Sequence, residues 1–338
     1  MTRRRVVAPL GVAFALALAA LPWRPAPAQE PPRDTRGSFS IVIENDAFAG
    51  TDRHYTHGTR LAWLSAEDDL PGFGRWLARN LPILAAGGRK RIGYALGQNM
   101  YTPEDIDTTA LQPDDRPYAG WLYGEIGVLS ETGNRLDSVA LSVGVVGPLS
   151  FAEDTQRKWH DWFGFQDPEG WDHQLENEPT LNLTFDRQWR YLWPFAAAGL
   201  DADVTPHLGL ALGNAFTYAA AGATLRLGEA LEADFGGPPR IRPSLPGAAH
   251  FSSPARFGWY LFAGLEARAV ARDIFLDGNT FADGPGVDKR PLVGDLEFGF
   301  ALVFERFRIT YTQVFRSKEF YGQDEGDRFG AIAVTARF

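Results

Sequence analysis

The sequence has 338 residues, a formal net charge of −9 and no cysteine, and 13% of its residues are aromatic. The lack of cysteine excludes disulfide bonds and thiolate metal sites. The acidic balance argues against nucleic acid as a partner, because phosphate contacts require a basic surface. At the start of the chain, three arginines precede an apolar run and an Ala-Pro-Ala sequence. This layout predicts a secretory signal peptide over residues 1–28 and a mature domain over residues 29–338.

The mature chain consists largely of segments in which apolar and polar residues alternate. After the signal, no run of about 18 apolar residues predicts a transmembrane helix. Most of the alternating segments are long enough for a tilted strand to cross an outer membrane. There are twelve of them, near 37–46, 54–66, 90–102, 117–131, 135–148, 178–191, 193–205, 208–228, 256–272, 290–305, 306–317 and 328–338. This even count predicts one all-β domain, a twelve-stranded antiparallel transmembrane β-barrel. A soluble β-sandwich is the alternative.

The strand count also predicts which connections share an end of the barrel. If both termini are periplasmic, the outer connections lie near 47–53, 103–116, 149–177, 206–207, 273–289 and 318–327. The unusual polar motifs then all emerge at the outer end. Two connections at the periplasmic end, 67–89 and 229–255, are longer than the short turns usual there.

The first polar motif is IENDAFAGTDRHYTHG, at the end of the first strand and the start of the second. In an extended strand, Glu44 and Asp46 would share one face and Asn45 would lie on the other. The carboxylate and amide oxygens of this motif are ligands of the kind that calcium prefers, and so are the oxygens of nearby Thr51, Asp52 and Thr56. A strand end followed by an ordinary turn is the alternative.

The second motif is QRKWHDWFGFQDPEG, a short helical pattern in an outer connection. On a helix, Gln156 and His160 share one face. His160 is the candidate general base, because histidine titrates near neutral pH. Gln156 is a candidate donor to an oxyanion, and Glu169 is one of several following carboxylates able to orient the imidazole or bind a cation. A structural histidine packed between tryptophans is the alternative.

Three further residues, Arg116, His54 and His57, were considered for a role in binding or catalysis. Arg116, in the connection before the fourth strand, is able to bind a phosphate or a carboxylate. A solvated charged loop is the alternative. His54 and His57 are expected to face solvent or the lumen. The chain has no HExxH or GxSxG motif, so a histidine-activated water is simpler than a zinc hydrolase or a serine nucleophile.

Taken together, END with TDRHYTHG, RPYAGW, QRKWH with GWDHQLENEP, LDGNTF and the terminal phenylalanine strand resemble the lipid A 3′-O-deacylase family. The resemblance implies a twelve-stranded outer-membrane barrel and a calcium-dependent esterase that removes the 3′-linked acyloxyacyl group of lipid A. By motif, the catalytic residues it implies are Asn45, Asp46, Thr56, Gln156 and His160. It implies Asp46 and Glu169 as calcium ligands. The family's lysine has no counterpart in the 103–116 connection, where this chain has Arg116.

The sequence therefore predicts an outer-membrane ester hydrolase that acts as a monomer on lipid A, the membrane anchor of lipopolysaccharide. An outer-membrane phospholipase is the enzymatic alternative. A narrow porin is the non-enzymatic one, and a lumen filled by side chains would count against it.

Overall fold

The computed structural model describes residues 34–50, 54–81, 83–84, 87–235, 237–243, 249–252 and 257–338. Thr51, Asp52 and the predicted signal peptide, residues 1–28, lie outside the described residues. Among those residues, no helix is both long and apolar enough to cross a membrane.

The described chain is built mainly from twelve long β-strands, which we number in chain order. They are β1 Ser38–Asn45, β2 His54–Leu64, β3 Arg89–Thr102, β4 Ala119–Thr132, β5 Arg135–Val146, β6 Glu178–Trp189, β7 Leu200–Gly213, β8 Phe216–Glu229, β9 Gly258–Asp273, β10 Leu292–Val303, β11 Phe307–Arg316 and β12 Asp327–Arg337. A short strand, Phe195–Ala197, pairs with the start of β7. The helices are α1 Gly72–Asn80, α2 Ala152–Phe163 and α3 Ile274–Asp277, with 3-10 turns at Asp46–Ala49, Pro148–Ser150, Trp171–His173 and Leu231–Ala233.

The twelve strands form a closed antiparallel barrel. Each strand pairs with the next along the chain, and β1 pairs with β12 from Ser38 opposite Arg337 to Asn45 opposite Gly330. Closure pairs each of the twelve described strands on both sides, so none of them is left as an unpaired edge. The predicted twelve-stranded barrel is confirmed.

The predicted boundary between the seventh and eighth strands is wrong. Pro206-His207 was expected to be an outer turn, but β7 continues to Gly213 and the turn falls at Asn214-Ala215. Proline is tolerated in β7 because the ladder between β6 and β7 ends at His207, so Pro206 need not donate a hydrogen bond to β6. Pro206 therefore lies within β7, next to the end of one of its two ladders.

Side chains alternate between the outside and the inside of the barrel. On β1, Phe39 and Ile41 point outward and are 40% and 39% exposed, while Ser40, Val42 and Glu44 point inward and are buried. The outward face is apolar. The inward face carries many buried charged groups in ion pairs, including Arg226 with Asp203, Arg308 with Asp234, and Arg268 and Arg316 with Asp295. This filled interior counts against the porin alternative.

The two long connections at the end that holds the chain termini follow opposite courses. The described part of the β2–β3 connection packs outside the wall, where Leu70 and Leu84 contact Val128 of β4. The described part of the β8–β9 connection turns into the lumen, where Ile241 packs against Val42 and Ala333. Neither connection therefore extends as a free loop along its described length.

Candidate active site

A cavity of about 520 Å³ lies on the outward face of β1, β2 and β3, beneath α2. The five residues predicted to be catalytic all line it: Asn45, Asp46, Thr56, Gln156 and His160. Its remaining wall is mostly apolar and includes Ile43, Phe48, Met100, Trp159, Phe163 and Phe165. The predicted polar residues are thus brought together on the outer surface of the wall, next to a large apolar surface.

Asn45 and Asp46 reach the cavity because β1 ends between them. The side-chain oxygen of Asn45 accepts a hydrogen bond of 2.8 Å from the backbone N–H of Ala47, which caps the 3-10 turn that begins at Asp46. The expectation that Glu44 and Asp46 share a face is therefore wrong. Glu44 points into the lumen, whereas Asn45 and Asp46 both line the cavity.

His57 is a cavity residue that the sequence reasoning missed. It lies opposite Asn45 in the ladder, is 3% exposed, and lies with its ring 5.1 Å from that of Trp159. The amide N–H of Asn45 donates to its Nδ1 at 3.1 Å, so its Nε2–H donates to Thr59 at 2.8 Å. The pairing of the first two strands was the signal that could have revealed it, because directly opposite residues share a face.

Thr56 and His54 occupy an irregular start of β2. The ladder with β3 shifts between His54 and His57, and the Thr56 hydroxyl bonds that of Thr102 at 2.8 Å. His54 faces neither solvent nor an open lumen, as it is 2% exposed and bonds Asp327 through Nδ1 at 2.5 Å. The shift turns Thr56 toward the cavity and buries His54 among the outer connections.

Helix α2 lies against the outside of the barrel wall. Ala152, Gln156 and His160 form its buried stripe, at the four-residue spacing of one helical face. Gly120 of β4 permits this approach, because a Cβ there would come within 2.2 Å of the Ala152 Cβ. The predicted helix carrying Gln156 and His160 is confirmed, and it begins four residues earlier than Gln156.

The amide of Gln156 is held in one orientation. Its side-chain oxygen accepts a hydrogen bond of 2.8 Å from the indole N–H of Trp171. Gln156 is 2% exposed, and its side-chain nitrogen has no hydrogen-bond partner among the described residues. The indole thus fixes the amide so that a buried N–H donor remains available for another acceptor.

The imidazole of His160 is held in one tautomer. Its Nδ1 lies at hydrogen-bonding distance from the backbone carbonyl of Gln166, which follows the left-handed turn at Gly164 that ends α2. A carbonyl only accepts, so Nδ1 carries a proton, and in the neutral imidazole the lone pair is then on Nε2. This is the state that a general base requires.

Two residues singled out from the sequence lie elsewhere. Glu169 is exposed and does not line the cavity, and its backbone N–H donates to Ile106 at 2.9 Å. Arg116 is 1% exposed and pairs with Glu319 at 3.4 Å, so its guanidinium is turned away from solvent and lipid. Asp46 is the one carboxylate among the residues lining the cavity. No group of three or more His, Asp or Glu side chains able to hold a metal ion occurs in the described ranges.

The cavity is continuous with the apolar outward face of the barrel. Ile43 is part of its wall, and Ile41 and Phe39 continue the same row down β1. On the other side, Trp162 and Phe163 of α2 are 75% and 60% exposed. A molecule embedded in an apolar phase beside the barrel can therefore reach the polar groups without entering the lumen.

Comparisons with protein-family models and with solved structures found proteins similar to this chain. Residues 12–338 match the model of the family described as outer membrane protein LpxR. The fold is similar to LpxR from Salmonella typhimurium, with 20% identity, a TM-score of 0.72, and coverage of 89% of this chain and 100% of that chain. The β domain of the Bordetella autotransporter BrkA shares 10% identity over 90% of this chain and 99% of that chain, with a TM-score of 0.42. The comparison with curated proteins found no match. The chain is an outer-membrane β-barrel and belongs to the LpxR family.

Proposed function

We propose that this protein is a calcium-dependent esterase that hydrolyses the 3′-O-linked acyloxyacyl group of lipid A. The observation that carries the proposal is the shared cavity of Asn45, Asp46, Thr56, Gln156 and His160 on the outward face of an outer-membrane barrel. An enzyme that acts on a lipid of the surrounding membrane needs its polar groups on that face. An apolar wall beside them suits the acyl chain.

In the proposed reaction, Nε2 of His160 takes a proton from water as the water oxygen attacks the ester carbonyl carbon. The negative charge that develops on the carbonyl oxygen accepts a hydrogen bond from the side-chain N–H of Gln156. The tetrahedral intermediate then expels the sugar oxygen, which takes the proton from His160, and the fatty acid leaves. Asn45 and Thr56 bind the sugar or add to the stabilisation of the oxyanion.

The cavity suits a calcium ion through Asp46, the carboxylate on its wall, with further oxygen ligands from backbone, substrate or water. A calcium ion bound there would supply Lewis-acid polarisation of the ester carbonyl. Glu169 is exposed and lies off the cavity wall, so the proposal assigns the metal to Asp46 and does not depend on Glu169.

The test supplies purified protein with lipid A and, separately, with glycerophospholipid, and follows both by mass spectrometry. The proposal predicts that lipid A loses its 3′ acyloxyacyl group while the phospholipid keeps its chains. Loss of acyl chains from the phospholipid alone would support the phospholipase alternative. A matched sample of His160→Gln controls for contaminating lipases.

A further inference from the structure

The β8–β9 connection leaves the barrel wall at the end that holds the termini, yet its residues Arg240–Pro243 lie deep in the lumen. We call these four residues the inserted tip. Glu44, which the tip contacts, is six residues along β1 from Ser38, or about 20 Å at 3.3 Å per residue. The connection therefore reaches the level of the cavity from the opposite end of the barrel.

The tip is held by strands from around the barrel. The Arg242 carbonyl accepts from Asn99 of β3 at 3.3 Å, and the Pro243 carbonyl accepts from Arg316 of β11 at 2.8 Å. The guanidinium of Arg242 pairs with Asp186 of β6. The two carbonyl contacts do not involve the side chain of Arg242, and they hold the backbone of the tip in a defined position in the lumen.

Arg240 makes the contact that concerns the cavity. Its Nε donates to Oε1 of Glu44 at 2.5 Å, and its Nη1 donates to Oε2 of Glu297 at 2.9 Å. The backbone N–H of Ile241 donates to the same oxygen of Glu44 at 3.0 Å. The three side chains are at most 1% exposed. Glu44 is thus fixed from inside the barrel by two donors of the tip.

Glu44 is the last inward residue before the cavity groups of β1. The next residue, Asn45, points to the other face, where it bonds His57 and caps the turn that begins at Asp46. A displacement of the backbone at Glu44 must therefore move Asn45 and Asp46 on the outside. The residue that the tip holds is therefore joined directly along β1 to the cavity residues.

We propose that Arg240 is a positioning residue for the outward-facing site, and that the inserted tip aligns Asn45 and Asp46 through Glu44. The proposal rests on the proposed function. Under this proposal, a connection that starts at the periplasmic end of the barrel has a role in catalysis at the outer leaflet. Misplacement of a catalytic group by about 1 Å is able to cost about 10²-fold in rate, so small shifts at Glu44 suffice.

The alternative role of Arg240 is charge neutralisation, since a buried carboxylate needs a partner wherever it lies. Arg240→Met and the double variant Arg240→Met/Glu44→Gln separate the two roles. The double variant removes the unpaired charge but does not restore the link. Positioning predicts that kcat falls about 10-fold or more in both variants, with KM within about 3-fold of wild type. Recovery of wild-type kcat in the double variant would overturn the proposal.

Arg242→Met is the matched control. It removes a guanidinium from the same tip, but its partner Asp186 belongs to β6 and is not among the residues that line the cavity. We expect its kcat to stay within about 3-fold of wild type. If Arg240→Met fails to insert into the membrane, Arg240→Lys serves as the test variant. Lysine keeps the charge but lacks the planar guanidinium that donates to Glu44 and Glu297 together. Wild-type kcat in Arg240→Lys would then contradict positioning.

A readout other than activity separates this proposal from the proposed function. Trp159 lies beside His57, which bonds Asn45, so its emission reports the position of the cavity wall. The difference spectrum between each variant and the same variant with Trp159→Phe isolates that signal. We expect it to shift in Arg240→Met and not in Arg242→Met, even if the wild type cleaves no lipid. An unchanged Trp159 spectrum in Arg240→Met would refute the link.

Discussion

Replacement of Gln156 by leucine tests the arrangement of the cavity in two separate measurements. The change removes the side-chain N–H that has no partner among the described residues, and it keeps a similar volume on the buried stripe of α2. Loss of one oxyanion donor typically costs about 2.7–4 kcal/mol in the transition state, or about 10²–10³ in kcat. Because this donor acts mainly on the developing charge, KM should change little.

The same replacement removes the acceptor of the Trp171 indole. Trp171 is 1% exposed, so its N–H would remain buried and unpaired, at a cost of about 1–3 kcal/mol in the free energy of unfolding. Gln156→Glu keeps an acceptor for the indole but not the free N–H donor. We therefore expect both variants to lose kcat. Only Gln156→Leu leaves the Trp171 indole as a buried donor without its acceptor.

The assay is release of fatty acid from lipid A under saturating substrate, with barrel unfolding followed separately in detergent. Gln174→Leu is the control, since it makes the same chemical change in the same connection but outside the cavity lining. It should keep wild-type kcat. A kcat of Gln156→Leu within about 3-fold of wild type would refute the assignment of this amide as an oxyanion donor.

Three further predictions follow from the same geometry. Replacement of His160 by glutamine removes the base and should lower kcat, measured by fatty acid release, by about 10²–10⁴. The barrel should still insert, as measured by heat-modifiable electrophoretic mobility. Retained activity would place the base elsewhere. Removal of calcium by a chelator should abolish turnover, and added Ca²⁺ should restore turnover better than Mg²⁺. Asp46→Asn should raise the Ca²⁺ concentration needed for half-maximal turnover by about tenfold. Equal activity with and without the chelator would exclude the metal. Burial alone would raise the pKa of Asp115, but hydrogen bonds from His54 and from the backbone of Glu104 lower this pKa below its ordinary value. The ionised Asp115 therefore stabilises the folded state above about pH 3.9, and this stabilisation is lost as the pH falls through the lowered pKa. Hydrogen exchange in the 103–118 connection, corrected for intrinsic rates, should therefore show acid-induced loss of protection in wild type, and an Asp115→Asn variant that behaves identically would contradict this role.

The strands could be predicted because the barrel imposes a simple pattern on the sequence. One face of each strand meets an apolar surrounding and the other a polar lumen, so the alternation on β1 from Phe39 to Glu44 is visible without any structure. The grouping of Gln156 with His160 was equally local, because both lie on one face of one helix. Such features depend on neighbours in sequence.

Features that depend on distant contacts were not predictable in this way. Nothing local indicates that α2 packs on the outside of the wall, since that contact requires Gly120 from another strand. The burial of Arg116 against Glu319 joins two connections far apart in sequence. The entry of Arg240 into the lumen depends on Glu44 and Glu297 together, and only the excess length of its connection hinted at an unusual course.

The polar motifs were expected at the outer end of the barrel, and the structure shows which surface they share there. The motifs meet on the outward face beside Ile43 and Phe163, and not at an opening of the lumen. A lumenal site would have to draw its substrate out of the membrane. A site on the outward face receives a lipid that stays in its own leaflet, so the filled interior and the proposed activity are compatible.

The most direct measurement is the mass spectrum of lipid A from cells that express the wild-type chain, compared with cells that express His160→Gln at the same level. The account predicts that wild-type cells show lipid A lacking its 3′ acyloxyacyl group, whereas cells with the variant keep it intact. Identical lipid A in the two, whether both intact or both cleaved, would contradict the claim that this cavity performs the hydrolysis.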